Sequence, residues 1–519
     1  MVNSLSPFIN EGIDPLNERQ AYELSVFLAE RIAQDTESKK AIIGKNVVLS
    51  RLIFDSIQMM SFTYELRKRY ATSLNSYTIF QSNMTLRELA GLLVLPASIP
   101  DIPRNGVDLI QQVELLESSL ASTSTQKGRL QPLDKLHSVF LTGATGILGT
   151  QILRQLLETP FIQKVIVLVR AKDAAEAVAR VIRSAKIGLW WVDSYLDRLE
   201  VWEGDLSLPK LGLSQGLWER LTCRPSDPNA IGAIIHNGAS VDWSADYESL
   251  KGVNVTSTFD LLTAAISSPS RMRFVFISGG SLPLSGETDK ERAVRLASGV
   301  GYSQTKFVSE LLVKRCAERL GSSDSNGFSI VIPGLIIGTE NEGVANTDDF
   351  IWRLTAATID CQRYDAGLGQ RWLSIAGSDR VAALALSSLF EKTGEQSLSL
   401  SVGDGITWQD YWNFLINDCH FELQPLEHDD WSALLQRQLD EQQESHILWP
   451  VADFISKEYK PENGSGGVKD SSPTVLQQLK RTLKKNIEFL SSVGFLRNTA
   501  DGNDWIREYG TESAFSRRR

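Results

Sequence analysis

The sequence predicts a doubly wound α/β fold with a parallel sheet, preceded by a small all-helical unit and followed by a mostly helical C-terminal part. The main observation is a series of short β-branched runs that alternate with helical patterns between residues 138 and 332. Strands separated by helices are typical of βαβ units, which build parallel sheets. The second observation is a glycine-rich segment, Gly143 to Gly149, between the first strand and a helical pattern.

The helical unit is predicted for residues 1–95. Apolar residues at helical spacing predict helices over 17–34 and 56–70. Thr85, with Glu88 three residues on, has the form of a capping box and begins a third helix. Prolines then break the pattern, and residues 96–134 are predicted to be a linker that contains one helix.

The βαβ region is predicted for residues 135–340 and the mostly helical part for residues 341–519. The predicted strands are 138–142, 165–169, 231–236, 274–278 and 329–332. Beyond residue 338 the strand signal thins, and the predicted helices are 347–360, 408–418, 430–443 and 474–492.

Composition excludes several classes of protein. Among 519 residues, 53 Lys+Arg against 63 Asp+Glu give a net charge of −10, which is too acidic for a general nucleic-acid binder. No apolar stretch reaches the ~18 to 20 residues of a membrane span, and the N-terminus lacks a secretory signal pattern, so we expect a cytoplasmic protein without membrane contact. Four widely spaced cysteines indicate neither a disulfide framework nor a metal site.

The glycine-rich segment predicts a dinucleotide site. Glycines at 143, 146 and 149 permit a tight turn, a close approach of backbone to a pyrophosphate, and close helix packing. The helix N-terminus offers N–H donors to the phosphates, so we expect Thr145, Ile147 and Leu148 to line the same site. The alternative is a strand–helix loop without a ligand.

Arg170 follows the second strand, where an NAD-binding unit usually has Asp or Glu for the ribose 2′-hydroxyl. An arginine favours a 2′-phosphate instead, which predicts NADPH; the alternative is an arginine that is only solvated. Later loops predict further cofactor contacts, although each motif alone is more often turn chemistry. These candidates are Asp205, Leu206, Asn237, Gly238, Ala239 and Asn254.

Tyr302 and Lys306 are the candidate catalytic pair, at positions i and i+4 of one helical face. A lysine beside a tyrosine favours the phenolate and lowers the pKa of the phenol. Spacing alone is weak evidence, because Tyr64 and Lys68 have it too in the N-terminal helical unit. Tyr302 differs because it follows a strand of the βαβ region.

Together these motifs resemble the extended short-chain dehydrogenase/reductase pattern, and more narrowly the thioester reductase domains of nonribosomal peptide synthetases, aminoadipate reductases and carboxylic acid reductases. The resemblance covers residues 135 to about 510 and also rests on Gly301-Tyr-Ser-Gln-Thr-Lys306 and Pro333-Gly334. It implies a Rossmann-type fold, NADPH as cofactor, Tyr302 as proton donor, and Lys306 as its partner and ribose anchor.

One position departs from that family. Its members usually carry Ser or Thr at the end of the strand before the tyrosine, where it hydrogen-bonds the substrate oxygen. Here Gly279 occupies the expected slot, and Ser278 or Ser281 is the candidate replacement. Because losing one oxyanion donor can cost about 100- to 1000-fold in turnover, a binding protein without catalysis stays an alternative.

Asp55 and Ser56 open the second predicted helix. Taken alone, they are a capping pair. Residues 17–93 nevertheless resemble an acyl or peptidyl carrier domain of four helices, which implies that Ser56 bears 4′-phosphopantetheine, attached by a phosphopantetheinyl transferase. A carrier directly before a thioester reductase is the order that those synthetases use.

The combined hypothesis is NADPH-dependent release of a carrier-bound acyl or aminoacyl thioester as an aldehyde, with reduction to the alcohol left open. The substrate would be loaded by an upstream adenylating or acyl-loading domain or protein, since residues 1–519 show no adenylation motif. Two alternatives remain: an extended short-chain dehydrogenase or epimerase acting on a free small substrate, and a catalytically degenerate NADP-binding interaction protein.

Overall fold

The structure is a computed structural model of the chain. It describes residues 15–32, 85–94, 107–122, 136–222, 230–267, 271–320, 327–390, 398–442 and 471–496, with gaps at 243–244, 281, 285 and 298, and scattered residues at 39–70, 130 and 445–455. Among the helices in these ranges, none combines the length and apolar character of a membrane span.

The N-terminal unit contains helix α1 (Pro15–Ile32) and helix α2 (Leu86–Val94). Leu24 and Leu28 of α1 and Leu89 of α2 are buried in one apolar core. The predicted capping box is confirmed: the Thr85 N–H donates to the Glu88 carboxylate at 2.7 Å, and the Glu88 N–H donates to Thr85 Oγ1 at 3.3 Å. Most of the predicted second helix, including Ser56, lies outside the described residues.

The elements from the linker to residue 332 alternate as the sequence predicts. In chain order they are α3 (Leu109–Ser122), β1 (Ser138–Thr142), α4 (Ile147–Glu158), β2 (Lys164–Val169), α5 (Ala174–Ile187), β3 (Leu199–Glu203), α6 (Gln215–Thr222), β4 (Ala233–His236), α7 (Tyr247–Lys251), α8 (Ser257–Ser267), β5 (Arg273–Ile277), α9 (Asp289–Leu296), α10 (Gly301–Leu320) and β6 (Phe328–Ile332).

The remaining elements form the C-terminal part. They are β7 (Leu335–Ile336), α11 (Phe350–Cys361), β8 (Arg363–Asp365), β9 (Trp372–Ala376), α12 (Ser378–Phe390), β10 (Ser399–Ser401), β11 (Gly405–Thr407), α13 (Trp408–Asn413), β12 (Gln424–Leu426), α14 (His428–Gln442) and α15 (Pro473–Ser492). All four helices predicted here are present, and a π-helical turn, Phe414–Asp418, continues α13.

Seven parallel strands form the main sheet in the order β10-β6-β5-β4-β1-β2-β3, which confirms the doubly wound α/β prediction. Two apolar cores cover its faces; one contains Val139 and Val167, and the other contains Phe140 and Ile166. Residues that alternate along one strand therefore face opposite layers, as a sheet covered on both sides requires.

The C-terminal part is not separate from this sheet. Strand β10 pairs with β6, and α12 buries Val381 and Ala385 in the same core as Val139 of β1. Small sheets of the order β11-β9-β7 and β12-β8 complete this part. The predicted boundary at residue 340 thus separates a strand-rich part of the sequence from a helix-rich part. Both parts contribute to the same sheet and to the same apolar core.

Helix α3 of the predicted linker packs on the βαβ region. Leu109 and Val113 are buried against Phe307 of α10 and Leu296 of α9. Two polar contacts accompany this burial, since Lys251 Nζ donates to Gln112 Oε1 at 2.8 Å and Arg315 pairs with Glu117 at 3.0 Å. This helix is therefore part of the α/β layer structure.

Candidate active site

The candidate site lies where the chain reverses direction across the sheet, between β1 and β4. The loops after these adjacent strands are joined: Asn237 Nδ2 donates to the Gly143 carbonyl at 3.2 Å, and the Gly238 N–H donates to Thr142 Oγ1 at 2.9 Å. In open parallel sheets, ligands bind in the crevice at this switch point. The predicted residues 143, 237 and 238 are therefore brought together at one edge.

The three glycines of the loop have different surroundings. Gly143 has a φ of +73°, and a Cβ on it would lie 2.7 Å from Gly238 Cα. A Cβ on Gly149 would lie 1.9 Å from the Gly143 carbonyl oxygen, whereas a Cβ on Gly146 would meet only that oxygen, at 3.7 Å. Packing thus requires the first and third glycines, and the second leaves the start of α4 accessible.

The N-terminus of α4 fits a pyrophosphate. Its N-cap residue, Gly146, is exposed and provides no side-chain capping bond to the first helical N–H groups. Thr145, Ile147 and Leu148 lie in the same turn. Unpaired N–H groups at a helix start favour anions, so the residues present suit a dinucleotide.

Arg170 directly follows β2 and is exposed. Its carbonyl oxygen accepts a hydrogen bond from the guanidinium of Arg180 on α5. Two arginines therefore meet at the end of β2. Sequence reasoning missed Arg180, because its distance from Arg170 along the chain gives no signal until α5 folds back on the sheet.

Asp205 and Leu206 follow β3 by the loop at Gly204. Asp205 Oδ1 accepts hydrogen bonds from the N–H and the hydroxyl of Ser207, both at 2.8 Å, so its carboxylate shapes the turn. Leu206 lies against the Gly238 backbone, since its Cδ1 is 2.7 Å from where a Gly238 Cβ would be. Ala239 packs in the small apolar cluster that contains Tyr302.

His236 ends β4 and is fully buried. Its Nδ1 lies 2.8 Å from Thr142 Oγ1, and its Nε2 lies 3.1 Å from Thr258 Oγ1. Burial, and secondarily the charge of Lys306, lowers the pKa of His236 to about 3. The neutral ring therefore ties β1, β4 and α8 together.

Asn254 lies in a π-helical turn, Gly252–Thr256, between α7 and α8. Its Oδ1 accepts from the Ser240 N–H at 2.8 Å, and its Nδ2 donates to the Ser240 carbonyl at 3.1 Å and to Thr305 Oγ1 at 3.0 Å. The side chain thus braces the loop after β4 against α10.

Tyr302 and Lys306 occupy the first turns of α10, and both are buried. Burial raises the pKa of the Tyr302 phenol, so the phenol is protonated at neutral pH; this is opposite to the direction expected from the neighbouring lysine. The ammonium of Lys306 contacts the end of β5. Its Nζ donates to the Ile277 carbonyl at 2.8 Å and lies 4.8 Å from the Phe276 ring centroid. Burial lowers the pKa of Lys306 to about 7, and Glu310 opposes that shift. The Tyr64–Lys68 pair lies outside the described residues.

The residues after β5 include Gly279, which stands where the family usually has Ser or Thr, and the two serines that could replace that hydroxyl. Ser278 Oγ donates to Glu310 Oε2 at 2.7 Å, so its hydroxyl proton is used away from Tyr302. A Cβ on Gly279 would lie 2.7 Å from the Tyr302 hydroxyl oxygen. Residue 279 therefore lies opposite the phenol, in the slot where the family usually has Ser or Thr, and Ser281 lies outside the described residues.

Glu310 and Arg292 form a buried ion pair beside this site, with Arg292 Nη1 and Glu310 Oε1 2.6 Å apart. Sequence reasoning missed both residues. Glu310 had a usable signal, since it follows Lys306 by four residues on one helical face. Arg292 had none, because α9 meets α10 only through tertiary packing.

Comparisons with known proteins agree with this fold. The family model described as "Male sterility protein" matches residues 141–384, and the model described as "Phosphopantetheine attachment site" matches residues 27–93. The reductase domain of PhqB from Penicillium fellutanum is 31% identical, with 75% of this chain and 99% of that chain covered and a TM-score of 0.61. A thiolation-reductase di-domain from an archaeal nonribosomal peptide synthetase, 17% identical, shares the fold over 92% of this chain and 98% of its own, with a TM-score of 0.55.

The fold, the site and the two family models together define a phosphopantetheine carrier domain joined to a nicotinamide-dependent reductase. The chain belongs to the reductase-domain family of nonribosomal peptide synthetases. N-benzoylphenylalaninol synthetase of Penicillium brevicompactum is 34% identical over 459 residues, which are 87% of this chain and 19% of that synthetase. The chain therefore spans about a fifth of the length of this relative.

Proposed function

We propose that this chain reduces an acyl or aminoacyl thioester, carried on its own phosphopantetheine, and releases the acyl group as an aldehyde. The observation that carries this proposal is the arrangement of a protonated, buried Tyr302 opposite residue 279 after β5, the strand next to β4, with Lys306 one turn further along α10. A bound nicotinamide cofactor supplies the hydride.

Residues of the chain supply the proton that accompanies the hydride. Tyr302 donates a proton to the carbonyl oxygen as hydride reaches the carbon, and Lys306 stabilises the phenolate that is left. One thioester, one reduced cofactor and one proton then yield one aldehyde, one thiol and the oxidised cofactor, with the carbon–sulfur bond broken.

We propose NADPH as the reductant, since Arg170 and Arg180 place two cations at the end of β2, where a 2′-phosphate would lie. In this proposal Ser56 bears the phosphopantetheine after the action of a phosphopantetheinyl transferase, and an upstream adenylating or acyl-loading domain or protein supplies the acyl group. The proposed division is residues 1–95 as carrier, 96–134 as linker, and 135–340 with 341–519 as reductase.

The test is oxidation of NADPH by the purified chain in the presence of short acyl and aminoacyl pantetheine thioesters, with NADH as comparator. We expect turnover with NADPH and an aldehyde product. Because N-benzoylphenylalaninol, in the relative's name, is an alcohol, product analysis includes alcohols. NADPH binding without turnover of any thioester would overturn the proposal.

Tethering through the carrier has its own test. Ser56→Ala should abolish turnover of substrate loaded on the carrier and spare turnover of free pantetheine thioesters. Equal loss with both substrates would show that Ser56 has no role as the attachment site.

A further inference from the structure

We propose that the main-chain N–H groups of Gly279 and Gly280 bind the carbonyl oxygen of the substrate, in place of a side-chain hydroxyl. The inference rests on the proposed thioester reduction and names the donor that its site uses beside Tyr302. The argument starts from what the neighbouring groups already do.

Ser278 is not available as the donor. Its hydroxyl donates to Glu310 at 2.7 Å, and its N–H donates to the Val331 carbonyl at 2.8 Å. Glu310 is itself fixed by Arg292, which donates to both of its carboxylate oxygens, at 2.6 and 3.4 Å. Turning the Ser278 hydroxyl toward Tyr302 would remove a hydrogen bond from a buried carboxylate, which is costly.

Gly279 brings backbone close to the phenol. A Cβ on this residue would lie 2.7 Å from the Tyr302 hydroxyl oxygen, so the phenol fills the space that a serine or threonine side chain would need. A substrate oxygen that accepts the Tyr302 proton therefore lies next to the main chain of residue 279. Main-chain N–H groups serve as oxyanion donors in other enzymes that act on acyl groups.

Gly280 gives the loop a conformation suited to an anion. Its φ is +74°, and a Cβ on it would lie 2.9 Å from Ser303 Cα, so both the backbone conformation and the space require glycine. Successive N–H groups around such a left-handed residue can form a concave anion site. Within the described part of the chain, neither the Gly279 N–H nor the Gly280 N–H has a hydrogen-bond acceptor, and both residues are partly exposed.

Ser303 is the remaining described hydroxyl at this loop. It is 2% exposed, and no described residue pairs with its Oγ, which lies 3.0 Å from where a Gly280 Cβ would be. Because Gly280 covers it, this hydroxyl lies behind the loop. Its removal is therefore a direct control for a side-chain donor.

The first experiment removes, in the full chain, each of the two hydroxyls that do not bind Glu310, as Ser281→Ala and Ser303→Ala. We expect the kcat for a free pantetheine thioester to stay within about threefold of the unmodified protein for Ser281→Ala and Ser303→Ala, with NADPH affinity from fluorescence titration unchanged. A fall of about 100-fold in kcat with unchanged NADPH affinity, the size of a lost oxyanion donor, would identify that serine as the donor and overturn the proposal.

The second experiment compares Gly279→Ala with Gly279→Ser, which add the same Cβ against Tyr302 and differ only in the hydroxyl. If the main chain is the donor, both variants lose at least about tenfold in kcat and the serine variant is no better than the alanine variant. If the site instead lacks a hydroxyl donor, the kcat of Gly279→Ser should exceed that of Gly279→Ala and equal or exceed that of the unmodified protein. That result would show that the proposal is wrong. Activity of the unmodified chain separates this outcome from a failure of the proposed function.

Discussion

The buried pair of Glu310 and Arg292 predicts opposite shifts in the pH dependence of catalysis. Within the described part of the chain, the titratable groups nearest Lys306 include Tyr302 and Glu310 of α10 and His236 of β4, and Arg292 of α9 pairs with Glu310. His236 is neutral above about pH 3 and Tyr302 is protonated, so Glu310 is the charge that raises the pKa of Lys306, and Arg292 acts through its pair with Glu310.

The size of the effect follows from the spacing on α10. Residues four apart on a helix lie about 5 to 6 Å apart, and two unit charges about 6 Å apart interact by about 3 kcal/mol at an effective dielectric constant of 20. One pH unit corresponds to about 1.4 kcal/mol, so removing the Glu310 charge should lower the pKa of Lys306 from about 7 by one to two pH units. Glu310→Gln keeps the shape of the side chain and removes its charge, but it leaves one acceptor oxygen for the two donors, Ser278 and Arg292.

The assay is the pH profile of kcat/KM for a free pantetheine thioester. Lys306 acts as an ammonium, so activity falls as pH rises through its pKa, and Glu310→Gln should move this alkaline limb to lower pH. Arg292→Gln leaves Lys306 as the nearest cation to Glu310 and should move the limb to higher pH. Both changes break one buried ion pair, so both should cost about 3 to 5 kcal/mol of unfolding free energy.

A purely structural role would give a different result. If the pair only held α9 against α10, both variants would lose activity and stability without a change in the pH of the alkaline limb, or with a change of the same sign. Either result would refute the electrostatic reasoning, and urea denaturation of both variants checks that the loss of stability is matched.

Three further changes test other parts of the site. Tyr302→Phe should lower kcat by about 100- to 10,000-fold while NADPH binding, followed by fluorescence, changes little; full activity would remove the phenol from the reaction. Arg170→Ala should raise the KM for NADPH by about tenfold and leave that for NADH unchanged, since a charged hydrogen bond is worth about 1.5 to 3 kcal/mol; an equal change for both cofactors would argue against a 2′-phosphate contact. Gly149→Ala places a Cβ 1.9 Å from the Gly143 carbonyl oxygen and should lower the free energy of unfolding, measured in urea, by about 1 to 3 kcal/mol. Gly146→Ala adds a Cβ at an open position and should affect mainly cofactor affinity. Equal stability in the two variants would contradict the packing argument.

The sequence predicted those strands whose apolar character is continuous, and missed those without it. Strand β1 (Ser138–Thr142) is buried along its whole length and was predicted to the residue. Strand β3 (Leu199–Glu203) contains two glutamates and one β-branched residue, and β10 (Ser399–Ser401) has three residues at the sheet edge, so neither gave a run of β-branched residues. Their places in the sheet come from tertiary pairing.

The same limit applies within the site. Local sequence was enough to place Gly279 opposite Tyr302, because strand end and helix start fix both positions. It was not enough to direct the Ser278 hydroxyl, since the acceptor, Glu310, lies 32 residues further along the chain and is fixed by Arg292 from another helix. Which atoms a side chain contacts depends on packing that no local motif encodes.

The packing of α3 changes how the carrier is tethered. With α3 buried on α9 and α10, residues 95–108 are what joins α2 to the reductase; these are about 14 residues, which span at most about 50 Å. A short connection of this kind gives the carrier-bound thioester an effective concentration of about millimolar. This is far above the concentration of a free thioester that is supplied at micromolar levels. The same helix contacts Phe307, the residue after Lys306, and Leu296 of α9, which carries Arg292. The helix that follows the connection to the carrier therefore also supports the two helices that hold the ion pair and Lys306, the proposed partner of Tyr302.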